Sequence, residues 1–230
     1  MYFFKCNLCG TIWYMDGDSK FQEPQPKFCP ECGWRIWKDI PNYYSYTHKK
    51  IRFEYLNPTV EMIDIEDIAH ALSNICRFTG HSIFHFSVAQ HSISLSRLVS
   101  HENRPWALLH DAAEAYINDL ATSLKNLIDG TYCKLEARIM EVICQKFGLS
   151  VEEPEEVKIL DRILTINELK ILVNPDFEDE NGYPQILKEI PSWIPQVSQC
   201  KEAFLKRYKE LFYLRGDEHA VHRSDRTQNL

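Results

Sequence analysis

Residues 106–119, in which three ionisable side chains interrupt an otherwise apolar stretch, constrain the fold of this chain more than any other segment. They read Trp-Ala-Leu-Leu-His-Asp-Ala-Ala-Glu-Ala-Tyr-Ile-Asn-Asp, without Gly or Pro, and good helix formers predominate, which predicts one continuous helix. His110 and Asp111 would lie about 100° apart around its axis, with Glu114 one turn further along the same face. Unpaired buried charges are costly, so these groups either satisfy one another in a core helix or hold a metal ion beside a proton-transfer group.

Length and charge limit the classes of protein to which the chain can belong. Its 230 residues suit one domain, or one domain plus a small module, and a hydrophobic content of 44% supports a real core. The net charge of −7 argues against nucleic-acid binding by bulk electrostatics, but leaves room for a local positive site that binds an anionic small molecule. No secretory or membrane-spanning apolar run occurs, which predicts a cytoplasmic protein without a membrane partner.

Two Cys-x-x-Cys-Gly segments lie near the start of the sequence, with Cys6 and Cys9 in the first and Cys29 and Cys32 in the second. Two such pairs about 20 residues apart supply four thiolates for tetrahedral zinc. The sequence therefore predicts a zinc ribbon over residues 1–38, with a structural role because a four-cysteine site has no open position. A recognition module is the alternative, but the basic residues of this segment are scattered and do not indicate nucleic-acid contact.

The rest of the chain has the apolar periodicity of helices, so the predicted fold class is mainly α. Residues 39–63 form a connector with one strand-like alternation at 50–56, and residues 64–215 form a helical domain. Asp64 is the expected N-cap of a helix that ends near Ile75. Further helices are predicted at about 85–99, 120–128, 132–147, 159–173 and 195–214. Residues 174–193 are Pro-rich and irregular, and the polar tail 216–230 is predicted to be disordered.

Two of the other predicted helices carry further candidate metal ligands. His91 falls within an apolar stripe, where a single histidine is more often a core residue than a ligand. Asp161 lies in a helix that is apolar on most sides, so its charge needs a cation or hydrogen-bond donors, whereas its competitor Asp176 lies in the loop-like stretch. Together with His110 and Asp111 these residues form a mixed nitrogen and oxygen set that suits a divalent transition ion.

The order of these residues, H…HD…D, resembles that of the HD-domain phosphohydrolases. The resemblance covers residues 60 to about 175 and is closest at four segments, EDIAHALS (66–73), CRFTGH (76–81), SVAQHS (87–92) and LLHDAAEAY (108–116). Similar proteins include bacterial 5′-deoxynucleotidases and the dATP triphosphohydrolases of phages with modified adenine. The zinc ribbon is not part of the usual family pattern, and the link between the third and fourth of these segments is shorter than in many relatives.

The resemblance implies that four side chains, His91, His110, Asp111 and Asp161, hold one divalent ion. The ion would be Mn, Co, Zn, Fe or Mg, and it would leave positions open for water and phosphate. Glu114 would then act as the general acid or base, within one helical turn of the ligands.

The resemblance also implies which residues contact the substrate. Arg77 matches an arginine that binds phosphate, and Lys125 matches a lysine that follows a similar Asp-Leu-x-Thr-x-x-Lys run. Phe78 matches an aromatic residue that stacks on the base in some relatives, with core packing as the alternative. His81 either binds phosphate or only lines the loop. Asp119 matches an acid near the attacking water, or is a plain helix cap.

The resemblance thus implies a metal-dependent phosphohydrolase acting on nucleotides, most readily deoxynucleotides. Monophosphate and triphosphate substrates both stay open, as do the base, the native metal and a homo-oligomeric state. One alternative is a binding protein in which the ribbon recognises nucleic acid or protein and the HD core is a scaffold. Another is an HD hydrolase of an alarmone or a cyclic nucleotide.

Overall fold

The computed structural model describes residues 2–5, 9, 12–15, 32, 43–128, 130–187 and 196–213. These residues are mainly helical, in agreement with the predicted fold class. The helices are α1 (Ile65–Asn74), α2 (Val88–Leu98), α3 (Arg104–Leu109), α4 (Glu114–Ile117), α5 (Thr122–Leu127), α6 (Thr131–Phe147), α7 (Glu155–Leu172) and α8 (Val197–Phe212). The strands are β1 (Tyr2–Lys5), β2 (Ile12–Met15), β3 (Tyr44–Tyr46) and β4 (Arg52–Glu54), and short 3-10 turns occur at Val60–Met62 and Phe78–Gly80.

The first strands, β1 and β2, pair antiparallel on either side of the first Cys-x-x-Cys segment. Cys9 is exposed and Cys32 half-buried, whereas Cys6 and Cys29 lie outside the described residues, and so does the predicted four-cysteine site as a whole. The predicted disordered tail, residues 216–230, lies outside them as well.

The second hairpin, β3–β4, lies in the region predicted as a connector. The sequence predicted one strand-like run there, whereas the structure pairs Tyr44 with Glu54 and Tyr46 with Arg52 in a short antiparallel ladder. Phe53 is fully buried in the main core and stacks on Tyr116 with ring centroids 4.1 Å apart. The hairpin is therefore packed against the helices that follow it.

The main core forms where α1, α2 and α8 pack together, with α3 and α4 against them. Its fully buried side chains include Ile68 and Leu72 of α1, Val88 of α2 and Phe204 of α8. As predicted, Asp64 caps α1, because its side chain accepts a hydrogen bond from the backbone N–H of Glu66 at 2.8 Å. No helix within the described ranges combines the length and the apolar character that crossing a membrane requires.

The continuous helix predicted over 106–119 is wrong. Helix α3 ends at Leu109, residues 110–113 form a turn, and α4 begins at Glu114. In this turn backbone N–H groups bond three residues back, as from Ala112 to Leu109 and from Glu114 to Asp111, so the chain is wound more tightly than an α-helix. The physical cause is a side chain, because Nδ1 of His110 lies 2.9 Å from the carbonyl of Ala107 and uses an acceptor of the helix.

Candidate functional site

His91 is fully buried on α2, and its ring is fixed at both nitrogens. Helix α2 starts at a capping box in which the Ser87 side chain accepts from the backbone N–H of Gln90 and the Gln90 side chain accepts from that of Ser87. Nδ1 of His91 lies 3.0 and 2.9 Å from the two carboxylate oxygens of Glu168, and Nε2 lies 2.9 Å from Oδ1 of Asp161. Because carboxylates accept, both nitrogens can carry a proton without a metal. Nδ1 keeps its proton towards Glu168, and Nε2, beside Asp161, is the nitrogen that can exchange its proton for a metal.

His110 has the same arrangement on the turn after α3. Its Nδ1 donates to the carbonyl of Ala107, which can only accept, so Nε2 is again the nitrogen available to a ligand. This Nε2 is buried and has no hydrogen-bond partner among the described residues, although Oδ2 of Asp111 lies 3.0 Å away. A buried nitrogen without a hydrogen bond needs an explanation, and a metal ion is a partner of the right chemistry.

The two imidazoles converge on one carboxylate. Oδ1 of Asp161 lies 2.9 Å from Nε2 of His91 and 3.8 Å from Nε2 of His110, and the ligand atoms of these three residues all lie within 4.8 Å of one another. Two neutral nitrogens and a carboxylate oxygen on rigid elements form a set that a divalent transition ion fits. Asp111, the fourth predicted ligand, is outside this trio, and Asp176 is exposed in the segment after α7.

The ionisation of these groups is strongly coupled through space. Burial lowers the pKa of His91, but the carboxylates of Glu168 and Asp161 outweigh it and raise the pKa to about 9. Burial likewise lowers the pKa of His110, and Asp111 and Asp161 raise it overall. The two imidazoles in turn hold the pKa values of Asp111 and Asp161 below the ordinary value despite burial. Without a metal, protons on the imidazoles balance the carboxylates, and a cation can take the place of those protons.

Glu114 is a buried carboxyl group at the start of α4, beside the trio. Burial is the largest cause that raises its pKa well above the ordinary value, followed by repulsion from Asp111 and Asp119. Nζ of Lys125 lies 3.9 Å from its Oε1, while its Oε2 is buried without a hydrogen bond among the described residues. Burial, with Asp111, also raises the pKa of Asp119, although Arg77 opposes it. A buried carboxyl with a raised pKa next to a candidate metal centre is suited to general acid–base chemistry.

Arg77 is a buried cation that joins the loop before α2 to helix α7. Its Nη2 donates to Oγ1 of Thr165 at 2.7 Å and lies 3.4 Å from a carboxylate oxygen of Glu168. Its Nη1 lies 3.8 Å from a carboxylate oxygen of Asp111. The residues after it, Phe78 and Thr79, both have φ of 55°, a conformation that is unusual for side chains other than Gly and very unusual for a β-branched one. Such strain costs on the order of 1–3 kcal/mol per residue and tends to occur at binding sites.

A cavity of about 460 Å³ opens onto these groups, within the size range of small-molecule sites. It is lined by Asp111, Glu114, Asp161 and most of the predicted substrate-binding and acidic residues, Arg77, Phe78, Asp119 and Lys125. The predicted residue His81 is exposed and does not line it. A larger cavity of about 680 Å³ is mostly apolar and contains none of the predicted ligands. The smaller cavity is therefore the candidate site.

Several residues of the site were not predicted from the sequence. Glu168 orients His91 and is fully buried, and Thr165 bonds Arg77. Arg162, Asn181 and Tyr183 line the cavity. A buried Glu seven residues after Asp161, on the same helical face, is a signal that could have identified Glu168. No local signal marks the others, because they reach the cavity through tertiary contacts.

Comparison with known proteins identifies two similar proteins, both described as uncharacterized. No protein-family model matches the chain. The uncharacterized protein YfdR of Escherichia coli (strain K12) is 36% identical over 177 residues, which is 74% of this chain and 96% of that protein. An uncharacterized protein of Rhodobacter capsulatus is 35% identical over 116 residues, 46% of this chain and 59% of that protein. On the extent of the first match, the chain belongs to the same family as YfdR.

Proposed function

We propose that this protein is a metal-dependent phosphohydrolase of the HD type that acts on nucleotides, with deoxynucleotides as the expected substrates. One observation carries the proposal: two buried imidazoles each have Nδ1 bonded to an acceptor and present Nε2 to the same oxygen of Asp161. A purely structural role would not require both Nε2 atoms to converge.

Four residues would hold the ion: His91, His110, Asp161 and, completing the set expected of the family, Asp111. Oδ2 of Asp111 touches His110, so it lies at the edge of the trio. When bound, a divalent ion polarises a phosphoryl oxygen and makes water a better nucleophile. Nitrogen and carboxylate ligands are compatible with Mn, Fe, Co or Zn, and the geometry does not select among them.

The remaining residues of the cavity divide the work of binding and proton transfer. Arg77 offers a planar guanidinium, with Nε buried and unpartnered among the described residues, to hold phosphate oxygens. Lys125 adds a second positive charge at the cavity wall. Glu114, whose pKa is raised, would give a proton to the leaving oxygen, and Asp119, which lines the same cavity, would accept one from the attacking water.

The experiment that tests this proposal is a substrate panel on the full-length protein. Deoxynucleoside and ribonucleoside mono- and triphosphates, with cyclic nucleotides and alarmones for comparison, are incubated with Mn, Co, Mg or Zn, and the products are resolved by chromatography. Hydrolysis of a nucleotide that disappears with chelation is the expected result. If no nucleotide is cleaved with any metal, the proposal is wrong, and selective cleavage of a cyclic nucleotide or an alarmone would place the activity in a different class.

A matched pair of variants separates chemistry from binding. Glu114→Gln removes the ionisable group from the cavity and should lower kcat by roughly 10²–10⁴-fold while the protein still binds metal. Glu141 is an exposed residue of α6 that does not line the cavity, so Glu141→Gln should match the parent. If the two variants turn over nucleotide equally well, Glu114 has no role in proton transfer.

The proposal includes a structural zinc in residues 1–38, bound by Cys6, Cys9, Cys29 and Cys32. Four thiolates in two Cys-x-x-Cys pairs support it. Replacing Cys6 and Cys9 with Ser should remove zinc and lower stability while the second metal site stays loaded. Metal analysis that finds the same zinc content in this variant and in the parent would exclude the ribbon.

A further inference from the structure

The segment 179–187, called the wall below, borders the candidate cavity through Asn181 and Tyr183, although its sequence predicted an irregular stretch. The Asp179 side chain accepts hydrogen bonds from the backbone N–H groups of Asn181 at 3.1 Å and Tyr183 at 2.6 Å, and Gly182 at φ of 64° completes the turn. This turn brings Asn181 and Tyr183 to the lining of the cavity.

A buried amide fastens the wall to helix α7. Nδ2 of Asn167 donates to the carbonyls of Ile163 and Pro184, and its Oδ1 accepts from the backbone N–H groups of Ile186 and Leu187. Ile186 and Leu187 of the wall also pack against a smaller group of buried apolar side chains that includes Leu95, Trp106 and Leu164. The bond to Ile163 lies within α7, so three hydrogen bonds and apolar contact hold the wall, which makes it a built surface of the cavity.

The wall differs chemically from the rest of the lining. The charged side chains of the cavity come from other segments. They are Arg77 before α2, Asp111 in the turn after α3, Glu114 of α4, Asp119 in the link to α5, Lys125 of α5, and Asp161 and Arg162 of α7. The wall contributes the amide of Asn181 and the phenol of Tyr183. Thr165 and Ile166, the lining residues of α7 that lie nearest in sequence to Asn167, are also neutral. Charge suits phosphate and metal, whereas an amide and an aromatic ring suit a heterocyclic base.

The spacing along α7 is consistent with this division. The residues of α7 that line the cavity extend from Asp161 to Ile166, which is five residues or about 7.5 Å along a helix at 1.5 Å per residue. That is comparable with the reach from the 5′-phosphate of a nucleotide across its sugar to its base. A substrate with its phosphate at Asp161 and Arg77 would therefore extend to the wall.

We infer that the wall formed by residues 179–187 is the nucleoside-recognition surface of the site, where the Tyr183 ring packs against the base and the Asn181 amide bonds its edge. This inference rests on the proposed function, because it assigns a binding surface to the nucleoside part of the nucleotide whose phosphate would lie at Asp161 and Arg77. It places the choice of base in a segment outside the metal-binding helices. Phe78, which lines the same cavity, supplies a second aromatic surface for the base.

The test measures binding to full-length, Mn²⁺-loaded protein carrying Glu114→Gln, so that turnover does not interfere. Isothermal titration calorimetry compares deoxynucleotides with two probes that lack a base, 2-deoxyribose 5-phosphate and inorganic tripolyphosphate. In this background Tyr183→Ala should weaken the binding of deoxynucleotides by roughly 5- to 150-fold, the range for loss of one base-stacking ring. Asn181→Ala should weaken it by roughly 2- to 10-fold, as for loss of one hydrogen bond.

The base-free probes serve as the internal control for folding. They should bind the wall variants and the parent alike, which shows that metal and phosphate sites are intact. Tyr183→Phe keeps the ring and should retain most of the nucleotide affinity, and Glu180→Ala, an exposed neighbour that does not line the cavity, should have no effect.

Two negative results are distinguishable. If the parent binds nucleotides and Tyr183→Ala binds them equally well, or loses base-free probes to the same extent, the wall does not recognise the nucleoside. If the parent binds the base-free phosphates but gains nothing from a base, nucleotides are not the substrate, and both this inference and the proposed function fail.

Discussion

Glu168→Gln is the substitution that most directly tests whether the two imidazoles form a metal site. Glu168 is fully buried, and its carboxylate lies within 3.0 Å of Nδ1 of His91 and 3.4 Å from a guanidinium nitrogen of Arg77. Glutamine has nearly the same shape and keeps one carbonyl acceptor for Nδ1. In the parent, the negative charge of Glu168 orients His91 and makes Nε2 a stronger electron-pair donor to a metal. The substitution removes that charge.

The expected magnitude follows from these contacts. Loss of a partner that orients a metal-binding histidine typically lowers metal affinity by about 10- to 100-fold, or roughly 1.4–2.7 kcal/mol. The substitution also removes one of the two carboxylates near the buried guanidinium of Arg77. The other, Asp111 at 3.8 Å, remains, so we expect some loss of stability as well. Alanine would add a cavity to these effects, which makes glutamine the cleaner change.

The assay is calorimetric titration of metal-stripped protein with Mn²⁺, since thiolates of the predicted ribbon prefer softer ions. Glu156→Gln is a matched control. Glu156 lies on the same helix and its carboxylate accepts hydrogen bonds from Ser100 and Asn103, but it does not contact a histidine. The control should lose some stability and keep the parent's affinity for Mn²⁺.

Two outcomes would refute the reasoning. Unchanged Mn²⁺ affinity in Glu168→Gln would mean that Nε2 of His91 does not bind the ion. Equal losses of affinity in Glu168→Gln and Glu156→Gln would mean that the effect arises from general destabilisation of α7.

Three further predictions concern other groups of the site. Asp161→Asn should abolish tight Mn²⁺ binding, whereas Asp176→Asn, in the exposed segment after α7, should not; calorimetry showing the reverse would make Asp176 the ligand. Arg77→Ala should weaken nucleotide binding and keep the metal, and Arg77→Lys should restore affinity only in part because a bidentate fork is lost; parent-like affinity in Arg77→Ala, measured by titration, would move the phosphate site elsewhere. Folding raises the pKa of His91 from 6.5 to about 9, so its contribution to the stability of metal-free protein is fully present below pH 6.5 and is lost as the pH rises through 9. Over the same range the Mn²⁺ affinity should rise, because the ion displaces the proton on Nε2; urea unfolding and titration at pH 6–10 that show a flat dependence would contradict this.

Local signals in the sequence predicted the elements that depend on local interactions. Asp64 caps α1 because a side chain that accepts from a nearby N–H needs no distant partner. His91 and Asp161 could be paired only through the resemblance to HD proteins, since 70 residues separate them. Their predicted burial on apolar helix faces marked them as candidates. His91 is fully buried and Asp161 is half-buried, and the two side chains are in contact.

The features that escaped prediction depend on contacts between distant segments or on side chains that compete with the backbone. The turn at residues 110–113 interrupts a helix of good formers because His110 bonds the Ala107 carbonyl. The wall at residues 179–187 has a sequence without periodicity, and the amide of Asn167 helps to hold it beside the cavity. Hydrophobic patterns carry no information about such bonds.

The turn that carries His110 and Asp111 has a consequence for how this protein could acquire a new substrate. The residues on both sides of the pair, Leu108, Leu109 and Ala112, are completely buried, so the core holds the pair as a fixed frame. Any substitution that moves the pair must also repack that core. In the wall at residues 179–187, Asn181 is exposed and Tyr183 is half-buried, so changes at these two residues are free of this requirement. Variation there could change substrate preference in small steps without loss of the ion, which makes these two positions the ones to randomise in directed evolution.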